Sequence, residues 1–359
     1  MTHSTHLDYA SCAPIRDNVR QAMIAELENK NDFYDPRRLY DDAIKIRYEI
    51  EESRAQVAAF FNCEPSEVVF TSSSTEALAS FAYGASKLGK YIAVSPFESE
   101  TILETLSSAN IEVSNEPFKY SVASFLSYAH PDTGRILDIE NEIEKARSIA
   151  DSCLVHLDAR NASGYVDLNF KELDVDAMTV SSETWGGPVG VAALIIKNGI
   201  RVEALIKGAS QERARRAGAE NILAIKGFGE LCKTEKSHLH SEIQHCLGLK
   251  QSIVADLHKS GCEVLDENKN TLPNMVSTKI ARVAASAVVA EFNRHGINIH
   301  AGSSCGSEEF EISKALLAIG LSETGAESVF RISWGYATTK EDVEAFSKAL
   351  DKIVDTFQM

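Results

Sequence analysis

The chain has little with which to staple itself together. Its 359 residues include seven cysteines (Cys12, Cys63, Cys153, Cys232, Cys246, Cys262 and Cys305), odd in number, scattered, and without a C-x-x-C pair. That pattern excludes a disulfide framework and a zinc knuckle and points to a reducing, cytoplasmic setting. Proline is scarce at eight residues, and there is no Pro-rich linker, internal repeat or low-complexity tract. Long apolar runs are missing, and MTHSTHLDYA at the start has no basic stretch followed by an apolar one. Neither a membrane span nor a secretory leader is expected. Positive charge is also short: 36 Lys and Arg against 52 Asp and Glu leave a net charge of −16. Nucleic acids and anionic membranes are therefore disfavoured as partners, since both are bound through clustered Lys and Arg. His238, His240 and His245 fall on a stretch read as an exposed helix and are taken as surface, so no metal site is expected.

What is present is ordinary globular material, 44% apolar, 25% charged and 8% aromatic, enough for a sizeable core. Val19, Met23, Ile24 and Leu27 recur at helical spacing, and a longer stripe runs from Leu39 through Ala43, Ile46, Ile50 and Val57 to Phe60. Strands are predicted over 67–71, 91–94, 125–128, 154–158, 177–181 and 191–196, with helices between several of them. Such alternation predicts an α/β fold with a mostly parallel sheet. After about Asn221 long helical stretches and then a β and α mixture take over, placing a boundary near residues 230–245. The last helix carries Val343, Phe346, Leu350, Ile353 and Phe357, with Thr339 and Asp342 as a capping pair.

Ligands of open α/β sheets sit beyond the C-terminal ends of the strands, so those loops are where chemistry is sought. The Ser72–Thr75 loop offers hydroxyls and backbone N–H groups at a helix start, which suits a phosphate and equally an N-cap. Asp158 ends an apolar strand, where a carboxylate either meets a ligand or forms a turn. Arg213, Arg215 and Arg216 crowd four positions, either as an anion site or as a salt-bridged face. Cys305, in GSSCGS, has the wrong neighbours for a core cysteine. The stretch SSETWGGPVGVAALII, residues 181–196, has the look of a site rim.

The order of motifs resembles the cysteine desulfurases of the class V aminotransferases, within the fold-type I pyridoxal-phosphate (PLP) enzymes. The likeness spans nearly the whole chain: LDYASCAPI, VVFTSSSTEA, HLDARNASGYVDL, GGPVGVAALIIKNGI, QERARRAGAEN, GSSCGS, ALLAIGL and RISWGYATTKEDV. It implies a large PLP-type domain over residues 15–235, a smaller α+β domain made of 1–14 with 236–359, and a homodimer. By the same resemblance Ser74 and Thr75 look like phosphate contacts, Asp158 like the carboxylate that keeps a pyridine nitrogen protonated, and Asn161 stands beside the ring hydroxyl. Ser181 matches a phosphate-contacting serine, Arg331 the arginine that grips a substrate carboxylate, and Cys305 the mobile-loop cysteine that becomes a persulfide.

The departures from the family pattern are concentrated. Ser-Gly-His-Lys before the Gly-Pro corner becomes Ser181-Ser182-Glu183-Thr184, so Thr184 stands where a lysine would form an imine and shuttle protons. Glu183 replaces a histidine at the phosphate, and a second negative charge about 4 Å from it would cost roughly 4 kcal/mol at an effective dielectric of 20. Ser99 replaces the histidine that stacks on the ring, His130-Pro131-Asp132-Thr133-Gly134 replaces an Asn-Asn-Glu segment, and Ala219 replaces a phosphate-reaching threonine. No covalently held cofactor is expected. The expectation is a binding or regulatory protein, with a desulfurase or a sulfur-acceptor protein as partner. The alternative is an active desulfurase or sulfurtransferase using Cys305, with PLP bound non-covalently or absent. Trp185 and Phe97 are candidates either to fill the cofactor space or for ordinary core packing.

Overall fold

A computed structural model of the chain describes residues 4–28, 35–98, 100–109, 111–149, 152–302 and 312–358. Cys305 and Ser99 lie outside the described residues. The chain divides into two compact units, one of residues 15–128 with 138–238 and the other of 1–14, 129–137 and 239–359. The stretch 129–137, which the sequence reading leaves in the large domain, belongs to the C-terminal unit. Its backbone explains why: Gly134 O accepts from Leu272 N, Ile136 N donates to Asn270 O, and Ala129 pairs with Ile136.

The larger unit is built on seven strands: β1 (Val68–Thr71), β2 (Tyr91–Val94), β3 (Glu112–Ser114), β4 (Ser121–Ser127), β5 (Leu154–Asp158), β6 (Ala177–Ser181) and β7 (Ala192–Ile196). Their order across the sheet is β1-β7-β6-β5-β4-β2-β3. β6, β5, β4, β2 and β3 run parallel, while β7 is antiparallel to both of its neighbours. The unbroken burial of β1, β6 and β7 follows from their apolar runs, as expected of strands covered on both faces. Only the edge strand β3 is exposed, and its short polar sequence gives no apolar signal.

Around the sheet lie α1 (Asp17–Glu28), α2 (Asp41–Phe60), α3 (Ser74–Ser86), α4 (Glu100–Ser107), α5 (Ile139–Ile149) and α6 (Ile222–Glu235). One core cluster joins Leu78, Phe81, Ile102, Ile92 and Phe125, each fully buried, worth about 1.5–3 kcal/mol per side chain in area removed from water. Inside it, His156 of β5 is wholly buried between Phe81 and Phe125, with ring centroids 5.2 Å from each, and its Nε2 meets Thr179 Oγ1 at 2.9 Å. Burial drives its pKa down to about 3.

The smaller unit has α7 (Leu239–Lys259), α8 (Ala285–Arg294), α9 (Lys340–Gln358) and an antiparallel sheet of β8 (Glu263–Val264), β9 (Met275–Lys279), β10 (His300–Ala301) and β11 (Val329–Ser333), in the order β10-β11-β9-β8. α9 starts in the reciprocal cap that its sequence predicts: Thr339 N and Oγ1 donate to Asp342 Oδ2, and Asp342 N donates back to Thr339 Oγ1. Among the described residues no helix is long and apolar enough to cross a membrane, and no cluster of three or more potential metal ligands occurs.

Candidate functional site

In the larger unit the candidate residues come from three loops at strand ends. The first follows β1. Ser73 caps α3, its side chain accepting from Glu76 N, and the Glu76 carboxylate in turn accepts from Ser72 N and Ser72 Oγ. Arg216 closes the arrangement, its Nε 2.8 Å from Glu76 Oε1. Bonds from Arg216 and Ser72 outweigh burial and hold the Glu76 carboxyl below its usual range. Ser74 is buried in the first turn and Thr75 is exposed. The cap at the head of this helix is thus Ser73, and the Ser72 donors already carry a carboxylate. The arginine cluster is likewise engaged internally: Arg213 pairs with Glu51 at 3.0 Å, Arg215 donates to Ser66 O and Val68 O, and Arg216 holds Glu76.

The second loop follows β5. Asp158 Oδ1 accepts from Arg160 N at 3.1 Å, and Oδ2 lies 3.1 Å from Arg160 Nε. The carboxylate is 5% exposed and the guanidinium-bearing side chain 24%. Both oxygens of Asp158 thus face one residue two positions along. The sequence reading missed Arg160 altogether, although a strand-end Asp with a cation at i+2 was visible. Asn161 is half-buried beside it.

The third loop, Ser181–Gly190, is a tightly tied corner. Gly186 and Gly190 take left-handed backbone angles, at φ +102° and +90°, which glycine adopts without strain. A Cβ on Gly187 would stand 2.5 Å from Ser182 Cβ, so only glycine fits there. Ser182 Oγ donates to Pro188 O at 2.7 Å, and from the α1 side Arg16 N and Nε donate to Gly186 O and Trp185 O. Trp185 is a core residue: 1% exposed, 4.9 Å from the Phe60 ring, its Nε1 donating to Ser181 O at 2.6 Å. Gly164 abuts it so closely that a Cβ would lie 2.5 Å from the indole. Phe97 is half-buried, its carbonyl accepting from Ser127 Oγ.

Thr184 is buried, and its Oγ1 donates to Arg160 O at 3.3 Å while Tyr165 OH donates to Thr184 O at 2.8 Å. The β5 and β6 loops are therefore stitched through Arg160. Ser181 is fully buried. Burial pushes the Glu183 carboxyl up, against its own backbone N–H, the charge of Arg160, and the Ser182 N–H and Ser181 hydroxyl, which favour ionisation.

The smaller unit contributes Arg331 on β11. It is 7% exposed, with one terminal nitrogen donating to Pro131 O and the other to Asp8 Oδ1 at 3.2 Å and Ser11 Oγ at 3.1 Å. Its Nε is buried with no acceptor among the described residues. His300, its partner across the β10–β11 register, is pushed down in pKa by burial and by the Arg331 charge. His130, in the segment that departs from the family pattern, accepts at Nδ1 from Asp132 N and Thr133 N, and its Nε2 lies 3.0 Å from Ala315 O. That pattern requires the neutral ring with its proton on Nε2.

Covalently attached PLP does not fit these residues. Thr184 offers no amine. The oxygens of Asp158 that a protonated pyridine nitrogen would need both face Arg160 already, and the Ser72 N–H and hydroxyl hold Glu76. The Gly186-Gly187-Pro188 corner, by contrast, is a complete and well-supported shelf.

The comparisons with known proteins agree on the frame. The family description Aminotransferase class-V matches residues 5–113 and 121–346. Cysteine desulfurase IscS of Dictyoglomus turgidum is 29% identical over 99% of this chain and 95% of its own length. Cysteine desulfurase IscS 1 of Archaeoglobus fulgidus is 27% identical over 98% of this chain and 97% of its own. Among solved structures, a NifS-like protein superposes with a TM-score of 0.90 at 23% identity, over 98% of this chain and all of that one. The NifS-like protein from Rickettsia africae gives 0.87 at 25% identity, over the same 98% and all of its own chain. The fold is that of the NifS-like PLP-dependent enzymes, and the chain belongs to the class-V aminotransferase family, where the relatives it resembles are cysteine desulfurases.

Proposed function

We propose that this chain is a cysteine desulfurase-like protein that has given up covalent PLP catalysis and works by binding, as a cytoplasmic homodimer that partners a desulfurase or a sulfur-acceptor protein. The observation that carries this reading is the Asp158–Arg160 pair. A carboxylate at that strand end would stabilise a positive ring nitrogen, and here the positive charge is supplied by the chain itself. A pyridinium would have to displace Arg160 from a carboxylate that is almost wholly out of water, losing a charge-assisted bond for each one gained. Thr184 removes the other anchor, and its buried hydroxyl bonds the same Arg160.

A second reading is favoured by the relatives, which align with this chain nearly end to end and are named cysteine desulfurases. In that reading the protein is an enzyme of that type: Arg331 receives a substrate carboxylate, Cys305 carries sulfur as a persulfide, and PLP is held without a lysine bond or is dispensed with. Retention of Asp158, Arg331 and Cys305 together motivates it. It requires a substrate carboxylate to replace Asp8 on Arg331.

Absorbance of the freshly purified protein, before and after addition of PLP, separates the two. No long-wavelength band that borohydride abolishes, and no sulfide released from L-cysteine with or without PLP, is the expected result. Such a band, or sulfide release that a Cys305→Ala variant loses, overturns the binding reading in favour of the enzyme.

A further inference from the structure

The smaller unit contains a half-open pocket of about 190 Å³ whose walls come from α7, β8, β9, residues 265–271 and Thr133. Leu247, Val254, Val264, Leu265, Met275 and Val276 make most of the lining apolar, and one amine, that of Lys250, also lines it. Lys250 Nζ donates to Thr271 Oγ1 at 2.6 Å and to Leu272 O at 2.5 Å, both neutral acceptors. No ion pair of Lys250 occurs among the described residues. Two carboxylates share the lining without pairing with the amine: Asp266 accepts from the Thr133 hydroxyl at 2.7 Å, also part of the lining, and Glu267 lies 3.0 Å from His258. Burial without a compensating anion pulls the Lys250 pKa down to about 8, whereas a lysine in water stays charged well above that. An apolar cavity of roughly 150 Å³ accepts a benzene-sized guest, so this one has room for such a ring carrying one small polar group.

We propose that Lys250 is a carbonyl-reactive amine and that its cavity admits small aromatic aldehydes, which it holds as reversible imines. The amine lone pair attacks the carbonyl carbon and a C–N bond forms. The carbonyl oxygen leaves as water with the two protons that the neutral amine gives up. No electrons are exchanged, so the step needs no oxidant or reductant. The apolar walls receive the ring, and Thr271 Oγ1 and Leu272 O, which fix the amine beforehand, limit the orientations it samples. The site is built only from residues of the smaller unit and stands whether or not the binding reading above holds.

The test uses the full chain with benzaldehyde as probe, cyanoborohydride to trap the imine, and peptide mass spectrometry to follow each lysine. Near pH 8, Lys250 should be benzylated about tenfold faster than Lys259 and Lys348, whose side chains are 71% and 77% exposed. A larger neutral fraction raises its rate and a weaker intrinsic nucleophilicity lowers it. Benzyl alcohol, a guest without a carbonyl, should slow Lys250 several-fold and leave the other two unchanged. A Val254→Phe variant, which fills the cavity from a half-buried position, should do the same. Labelling of Lys250 no faster than the exposed lysines overturns the proposal. So does a Lys250 rate that neither benzyl alcohol nor Val254→Phe changes selectively, and the benzyl alcohol arm needs only the parent protein.

Discussion

Asp158 in the larger unit and Arg331 in the smaller are opposite charges in the same predicament, each sunk out of water and held by one charge of the other sign. Asp158 is neutralised locally by Arg160, two residues on; Arg331 is neutralised by Asp8, 323 residues away. In the first pair the carboxylate is the more buried member, 5% against 24%; in the second it is the arginine, 9% against 17%. The difference teaches which partner each pair can lose. A charge left behind near the surface turns to water, whereas one left behind in the interior keeps its full desolvation penalty.

The sharpest challenge to this contrast lies two residues before Asp158. His156 is neutral when folded, its pKa near 3 against an ordinary 6.5, so on acidification the unfolded chain takes up the proton first. The native advantage is whole above about pH 6.5 and shrinks as pH falls toward 3, by an amount on the order of 4 kcal/mol at the low end. His156→Gln should flatten that stretch of the stability–pH curve, as followed by urea unfolding at a series of pH values. An unchanged slope would mean that His156 does not carry the acid sensitivity, and His130 and His300 of the smaller unit, whose pKa values burial also lowers, are the next to substitute.

The pairs themselves come next. Asp8→Asn strands the Arg331 guanidinium among neutral acceptors and should cost about 2–3 kcal/mol, and Arg160→Ala, which strands Asp158, about 2 kcal/mol. The reverse deletion, Asp158→Asn, leaves Arg160 at 24% exposure free to reach solvent and should cost about 1 kcal/mol or less. Denaturant midpoints of the three variants check the ranking. If Asp158→Asn proves costlier than Arg160→Ala, burial does not decide these pairs, and Arg160 is a structural strut through its backbone contacts with Asp158 and Thr184.

That ranking also marks where the sequence was legible. The strands around Asp158 are apolar runs that announce themselves, and the Thr339–Asp342 cap is written three letters apart. Gly186 and Gly187 can be read as a corner because a left-handed angle at the first and close approach at the second demand glycine. The Arg160 pairing lay within reach, since an Asp and an Arg two apart at a strand end share a turn. Asp8 on Arg331 did not, because nothing local links residues 323 apart, and the same holds for the transfer of 129–137 to the C-terminal unit, which rests on bonds to Asn270 and Leu272. Trp185 was open between filling a pocket and packing a core, and Phe60, Gly164 and the Ser181 carbonyl decide for the core. The fate of Cys305 lies outside the described residues.

Glu183 gives the finest discrimination, because it tests whether the shelf beside Arg160 is built to repel an anion. Burial raises its folded pKa above the ordinary 4.5, and the Arg160 charge only partly offsets that. Stability tied to the protonated form is complete below the ordinary value and is lost as pH rises through the raised one. At neutral pH the carboxylate is therefore a burden on the fold, while in acid it is not. Glu183→Gln, which keeps the shape and removes the charge, should raise the melting temperature by about a degree or two at pH 7 and leave it unchanged at pH 4. Any Glu183 that ionises presents negative charge to an incoming phosphate, so the same variant should bind inorganic phosphate no worse than its parent. A variant that melts lower at pH 7 would mean that Glu183 is ionised to the benefit of the fold, paired with Arg160 more strongly than Asp158 leaves room for, and the local neutralisation that sets this loop apart from Arg331 would have to include a second carboxylate.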